Sequence, residues 1–180
     1  MPGLKVNDEI ELRQYSEKDA AELFAVVTAN FEHLRPFLHW VTPDYSLECA
    51  RDFIVQNQTA AAEKKRAGYG IFYHKKLVGA AGFVKLDWSS RSAEIGYWIA
   101  RDFEGKGLVT KSCRALIKHA FVDLKMNRIE IRCATENIKS RAVPERLGFQ
   151  LEGVLRRSLW RHTRFYDLAI YGLLAEEWEK

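Results

Sequence analysis

Four residues, Glu104-Gly105-Lys106-Gly107, stand out as a place where a ligand could be held. Two glycines remove the side chains that would keep an anion away from the backbone. Beyond them Val109, Cys113, Leu116, Ile117, Ala120, Phe121 and Leu124 recur at three- and four-residue spacing, which predicts a helix over 107–124 with one buried face. The first turn of such a helix leaves N–H groups without intrahelical partners, and the helix dipole favours negative charge there. Before the glycines, residues 92–100 alternate as a strand: Ile95, Tyr97 and Ile99 point one way, Glu94, Gly96 and Trp98 the other. Strand, glycine turn and helix start together suggest a pyrophosphate cradle. A lone Gly-x-Gly is more often only a turn, so both readings stand on these residues alone. The spacing excludes a P-loop. A dinucleotide fingerprint is disfavoured because position 110 is Thr, and Glu130 lies inside a strand-like run rather than at its end.

A second constellation follows the strand-like NRIEIRCA. Asn137 and Ser140 stand where the chain enters a short helix at about 138–147. On residue preference alone Asn137 is a helix cap and Ser140 an ordinary first-turn residue.

The stretch AEIGYWIARDFEGKGLVTKSCRALIKHAF, followed by NRIEIRCATENIKSRAVPERLGF, resembles the GNAT superfamily of N-acetyltransferases, and within it the bacterial ribosomal-protein N-terminal acetyltransferases. The resemblance runs over nearly the whole chain. It implies a single acetyltransferase domain, residues 1–180, with an α/β fold of the α+β type. A mixed, mainly antiparallel sheet of about seven strands is expected, with helices on both faces. The fourth and fifth strands, 92–100 and 128–134, are expected to start as parallel neighbours and then splay around acetyl-CoA. Trp98, Ile99 and Ala100 would line the pantetheine arm. Backbone N–H groups of Glu104, Gly105, Lys106, Gly107, Leu108, Val109 and Thr110 would hold the pyrophosphate. Asn137 would touch the cofactor and Ser140 would stand near the thioester sulfur. Two positions depart from the superfamily's pattern: Asp102 replaces a frequent Gln or Arg, and Pro144 stands where many members carry a Tyr acid. The ribosomal group often uses Ser at the position of Ser140.

The chemistry so implied is attack of an amine on a thioester. The amine must be neutral, the oxyanion needs a donor, and the leaving sulfur needs a hydrogen bond or a proton. A terminal α-amine, with a pKa near 8 against about 10.4 for Lys, asks less of a base. Glu94 is the candidate base; it is equally placed to be a surface carboxylate paired with an Arg. The N–H of Ile99 or Ala100 would polarise the carbonyl, and Ser140 would donate to sulfur. No acyl-enzyme is required, and Cys113 and Cys133 lie in buried patterns with no His motif beside them.

Aromatic residues Phe37, Trp40, Tyr45 and Trp88 are candidates for an acceptor groove or for covering the core. Arg156, Arg157, Arg161 and Arg164 would suit an acidic partner or merely solvate a strand pair. The acceptor is expected to be a protein N-terminus. A polyamine, amino acid or aminoglycoside is the rival within enzymes, and a non-catalytic CoA-binding or sensing module the rival outside them.

The 180 residues suit one domain. Net charge is +4, with five cations against two acids over 101–118, and no nucleic-acid binding is expected. Three cysteines without metal spacing, five histidines likewise, a polar start and no 20-residue apolar run predict a metal-free cytoplasmic protein that does not enter membranes, a monomer or homodimer. Helices are expected from Ser16, with Asp19 completing a capping box, over 31–38, and from Ser46 to Ala67, closed by Gly68. Strands are expected at 9–15, 70–74, 76–86, 149–157 and 164–174.

Overall fold

The strands alternate and the helices carry one apolar stripe each, so the chain must lay helices on a sheet. The computed structural model describes residues 3–178. Its sheet has eight strands in the order β1-β2-β3-β4-β5-β6-β8-β7. These are β1 Leu4–Lys5, β2 Ile10–Arg13, β3 Ala67–Tyr73, β4 Lys76–Asp87, β5 Ser92–Ile99, β6 Arg128–Ala134, β7 Gln150–Arg161 and β8 Arg164–Leu174. The strand beyond the expected seven is β1, whose two residues are too few to show alternation.

Helices α1 (Ala20–Ala29), α2 (Phe31–Leu34) and α3 (Leu47–Ala62) cover one face, and α4 (Leu108–Lys118) and α5 (Ile138–Arg146) the other. Two apolar clusters result. One joins Leu23, Val27, Ala50 and Ile54 to Phe72 and Leu77. The other joins Cys113, Leu116 and Ile117 to Ile71, Phe83, Ile95 and Ile131. Leu116 and Ile117 are wholly buried, each contributing about 1.5–3 kcal/mol by the usual value for such side chains. Past Lys118 the helix widens into one π turn, His119–Asp123.

Only β5 and β6 run parallel, and they pair only over Ser92–Ile95 against Arg128–Ile131. Beyond that, β5 follows β4 to Ile99 while β6 follows β8 to Ala134. The sheet therefore opens into two arms, as the splay expected for these strands requires.

One local reading differs. Helix α3 ends at Ala62, and the left-handed residue after it is Lys64, not Gly68. Gly68 lies in β3, where Asn57 of α3 bonds both its N–H (2.8 Å) and its C=O (2.9 Å). A Cβ there would meet Asn57 Oδ1 at 2.7 Å, so its glycine serves close approach rather than helix termination. The β3–β4 turn is the two-residue His74-Lys75, both at positive φ, as a type I′ hairpin demands. Neither residue is the Asn or Gly that usually advertises such a turn.

Candidate active site

The glycine turn lies where β5 stops. Ala100 begins a 3₁₀ turn over Arg101–Phe103, and Gly105 and Gly107 both hold left-handed φ, +73° and +72°. Side chains rarely accept that conformation. Nothing lies within 4 Å of a Cβ built on either glycine, so it is the left-handed φ and not crowding that calls for glycine at both. Gly107 caps α4 without a side-chain bond, and the first helical bond runs from Lys111 N–H to Gly107 C=O. The N–H groups of Leu108, Val109 and Thr110 therefore have no intrahelical acceptor. The Arg146 guanidinium reaches Thr110 Oγ1 at 3.3 Å and adds positive charge there. Lys106 instead lays its ammonium over the Phe103 ring.

Side chains fix this turn from behind. Asn30 at the end of α1 accepts the Arg101 N–H at 2.9 Å, and His33 of α2 meets Ile99 C=O at 3.2 Å. Glu104 bridges His33 (3.6 Å) and Lys139 of α5 (2.5 Å), tying one arm of the sheet to the other.

Two of the donors expected from the sequence are engaged elsewhere. Glu104 N–H bonds Arg101 C=O within the 3₁₀ turn, so the free run starts at Gly105. Ala100 N–H bonds Val78 C=O of β4 at 2.8 Å and cannot polarise a carbonyl in the gap. Antiparallel pairing alternates, so Trp98 also spends its N–H on β4 while the N–H groups of Tyr97 and Ile99 face the gap. Ile99 is the one of the two oxyanion candidates whose N–H is turned the right way. Trp98 contributes its indole, packed edge-on at 6.2 Å to Trp40.

On the α4–α5 face, Asn137 is the cap: its Oδ1 accepts Ser140 N–H at 3.1 Å. That bond holds Ser140 against Tyr97, whose phenol donates to Ser140 C=O at 2.8 Å. Ser140 Oγ in turn donates to the Tyr97 oxygen at 3.3 Å. Burial, with the Cys113 thiol nearby, pushes the Tyr97 phenol well above its ordinary value, so it stays protonated. Tyr97 was not singled out from the sequence. The alternation that put it with Ile95 and Ile99, towards the helix carrying Ser140, is the signal that could have found it. Burial likewise raises both Cys113 and Cys133, which leaves them poor nucleophiles.

On the opposite face Glu94 is half-buried, and burial raises its carboxyl above the ordinary value although Arg132 at 3.7 Å opposes the shift. Arg132 is shared with Glu130 at 2.6 Å. Glu94 thus has the arginine partner of a surface carboxylate and also the raised affinity for protons a base needs. Glu94, Tyr97, Trp98, Asn137 and Ser140 all line one cavity of about 820 Å³. Phe37, Trp40 and Tyr45 wall it, with Phe53 of α3 and Arg161 of β7. Trp88 does not: it is exposed, and its Nε1 donates to Lys64 C=O at 2.7 Å. The cavity joins the gap between the arms to a groove over the α1–α3 face, so two ligands could meet at the split. Among the described residues no helix is long and apolar enough to cross a membrane, and no cluster of His, Cys, Asp or Glu is arranged for a metal.

Residues 9–150 match the family described as "Acetyltransferase (GNAT) domain". The Bacillus subtilis protein named "Putative ribosomal N-acetyltransferase YdaF" is 40% identical over 97% of this chain and 96% of its own. Two solved structures superpose closely. The Microcin C7 self-immunity acetyltransferase MccE, in complex with acetyl-CoA and AMP, gives a TM-score of 0.92 at 33% identity, covering 96% of each chain. RimL, a ribosomal L7/L12 α-N-protein acetyltransferase in complex with coenzyme A, gives 0.93 at 26%, covering 97% of this chain and 99% of that one.

Proposed function

The chain belongs to the GNAT acetyltransferase family, and from that premise we propose that it acetylates the N-terminal α-amine of a protein, a ribosomal protein first among candidates. The enzyme is an acetyl-CoA-dependent N-acetyltransferase. The observation that carries the reading of its site is the opening of β5 from β6 after Ile95, at the foot of the glycine turn. The pantetheine arm fits that opening as an added strand would. The N–H groups of Gly105 to Thr110 receive the pyrophosphate.

Within a ternary complex Glu94 takes a proton from the acceptor ammonium, directly or through one water. The freed nitrogen lone pair forms the C–N bond at the thioester carbon, and Ile99 N–H receives the oxyanion. Collapse breaks the C–S bond, the nitrogen's remaining extra proton passes to the departing sulfur directly or through water, and the Ser140 hydroxyl, turned from the Tyr97 oxygen, gives that sulfur its hydrogen bond. The Tyr97 phenol and the Asn137 cap hold Ser140 in place for this. The products are the amide and CoA, with no acyl-enzyme between. A cytoplasmic location belongs to the same proposal, supported by three free cysteines.

A small-molecule amine is the second reading, favoured by the likeness to MccE and by a cavity large enough for a small ligand. Thiol release from acetyl-CoA is measured with peptides beginning in Ser or Ala and with spermidine. Turnover of the peptides is expected. Turnover of spermidine alone moves the assignment to the second reading, and CoA binding without turnover of any amine overturns both.

A further inference from the structure

Most buried or half-buried arginines here meet a carboxylate. Arg13 pairs with Asp19, Arg128 with Glu130 and Glu152, Arg132 with Glu130, and Arg141 with Glu145. Arg161, at the end of β7 and on the wall of the acceptor cavity, is different. Its Nε donates to Phe37 C=O at 3.0 Å and its Nη1 to Trp160 C=O at 2.7 Å. Those bonds fix the guanidinium without neutralising it. Among the described residues no carboxylate lies within salt-bridge distance of it. Its titratable neighbours are His39 and His162, and the latter is held on Arg35 C=O at 2.7 Å. Burial pushes Arg161 below its ordinary value, against the upward shift of the paired arginines. A half-buried cation held by two carbonyls, facing a cavity and lacking a counter-ion, is a site prepared for an anion.

The acids lining the cavity do not fill that role. Glu94 is engaged with Arg132, and Asp52 is exposed on α3. Arg66, the third arginine of the lining, is also half-buried and without a carboxylate partner among the described residues, but no carbonyl fixes its guanidinium as two fix that of Arg161, and it comes from the approach to β3 rather than from the β7–β8 tip.

We propose that Arg161 binds a carboxylate of the acceptor, supplied by an acidic side chain within the first four residues of the substrate protein. This rests on the protein-acceptor reading above. The reach follows from strand register. Leu168 of β8 pairs with Ala134, where the β6 arm ends, and Arg161 pairs with Arg164, four residues away along β8. Four residues span about 14 Å. The guanidinium reaches back over part of that distance, so an extended peptide whose amine is at the split passes it with its second to fourth residue.

The test compares kcat/KM for tetrapeptide amides beginning with Ser and carrying Asp, Asn or Lys at positions two to four. The wild type is expected to favour the Asp series over the Asn series by about tenfold, the scale of one charge-assisted hydrogen bond, and to turn over the Lys series most slowly. Arg161→Gln is expected to bring the Asp-to-Asn ratio close to one, and Arg161→Lys to restore part of it. Calorimetry with CoA checks that each variant keeps a folded cofactor site. An equal ratio in wild type and Arg161→Gln, or a preference for Lys, overturns the anion site while leaving the protein-acceptor reading intact. Acetylation of free aspartate or glutamate but of no peptide, with the same loss in Arg161→Gln, keeps the anion site and overturns the protein source.

Discussion

The two faces of the opened sheet are built from different materials. Towards the glycine turn the opening presents peptide nitrogens, set by the φ angles of Gly105 and Gly107 and by the start of α4. Towards the groove it presents side chains drawn from far apart in the sequence: Trp40 and Tyr45 between α2 and α3, Phe53 of α3, Glu94 of β5 and Arg161 of β7. The first side should tolerate changes of side chain but not of backbone conformation. The second can change its ligand by exchanging side chains on an unchanged backbone. That difference would let one fold keep its acyl donor while its acceptor varies.

Substitutions can break this contrast. The largest expected effect is at Glu94. Glu94→Gln should lower kcat at least a hundredfold, the usual range for loss of a general base, with little change in CoA affinity. The wild-type log kcat profile should rise with pH through a limb above the ordinary carboxyl value of 4.5, since burial raises Glu94, and the variant should lack that limb. A retained limb would assign it to another group.

Next comes the turn. Gly107→Val forces a β-branched residue to φ +72°, a strain on the order of 1–3 kcal/mol. Calorimetry should show acetyl-CoA affinity reduced between ten- and a hundredfold, whereas Thr110→Ala, which leaves the N–H in place, should stay within about threefold. Equal losses would mean that side chains hold the pyrophosphate after all.

Ser140→Ala should cost about tenfold in kcat, one hydrogen bond's worth, with CoA affinity retained. An unchanged rate would pass the role to Tyr97, for which Tyr97→Phe is the companion variant.

The smallest effect concerns support for the groove. Asp19 takes two hydrogen bonds from Arg13 (2.9 and 2.8 Å) and bonds from Ser16, holding the start of α1 to β2. Burial alone would raise Asp19, but these bonds outweigh it and hold it below its ordinary 3.8. A lowered carboxyl pKa stabilises the fold above the unfolded value and loses that contribution as pH falls through the folded one. Asp19→Asn should therefore cost about 1–2 kcal/mol in denaturant titrations at neutral pH, and the gap to wild type should close below about pH 3.8.

The same contrast sets what could be read from the sequence. Strand β5, the glycine turn and α4 are contiguous, so alternation, a pair of glycines and a helical stripe announce them together. Asn137 as a cap is equally local. The groove is not, because nothing in the residues around Trp40 and Trp88 says which of them lies over the split. Trp88 was lost to Lys64 C=O, a partner 24 positions away. Engaged donors such as Ala100 and Glu104 were hidden for a related reason: a hydrogen bond to Val78 or within a 3₁₀ turn leaves no mark on residue type. Tyr97 was in plain view as an alternating strand residue, but its role depends on α5, 43 positions on.

The strand ladder that stitches β5 to β6 is four residue pairs long, Ser92 to Ile95 with Arg128 to Ile131. A guest lying past that seam mends it, so occupancy should stiffen the whole molecule rather than one pocket. Amide hydrogens of Tyr97 and Ile99 should exchange fast when the seam gapes and slowly once it is filled. Release of spent CoA would then mean unpicking the guest's own bonds to Tyr97 and Ile99 beyond the seam, which would place turnover partly in the mechanics of the sheet.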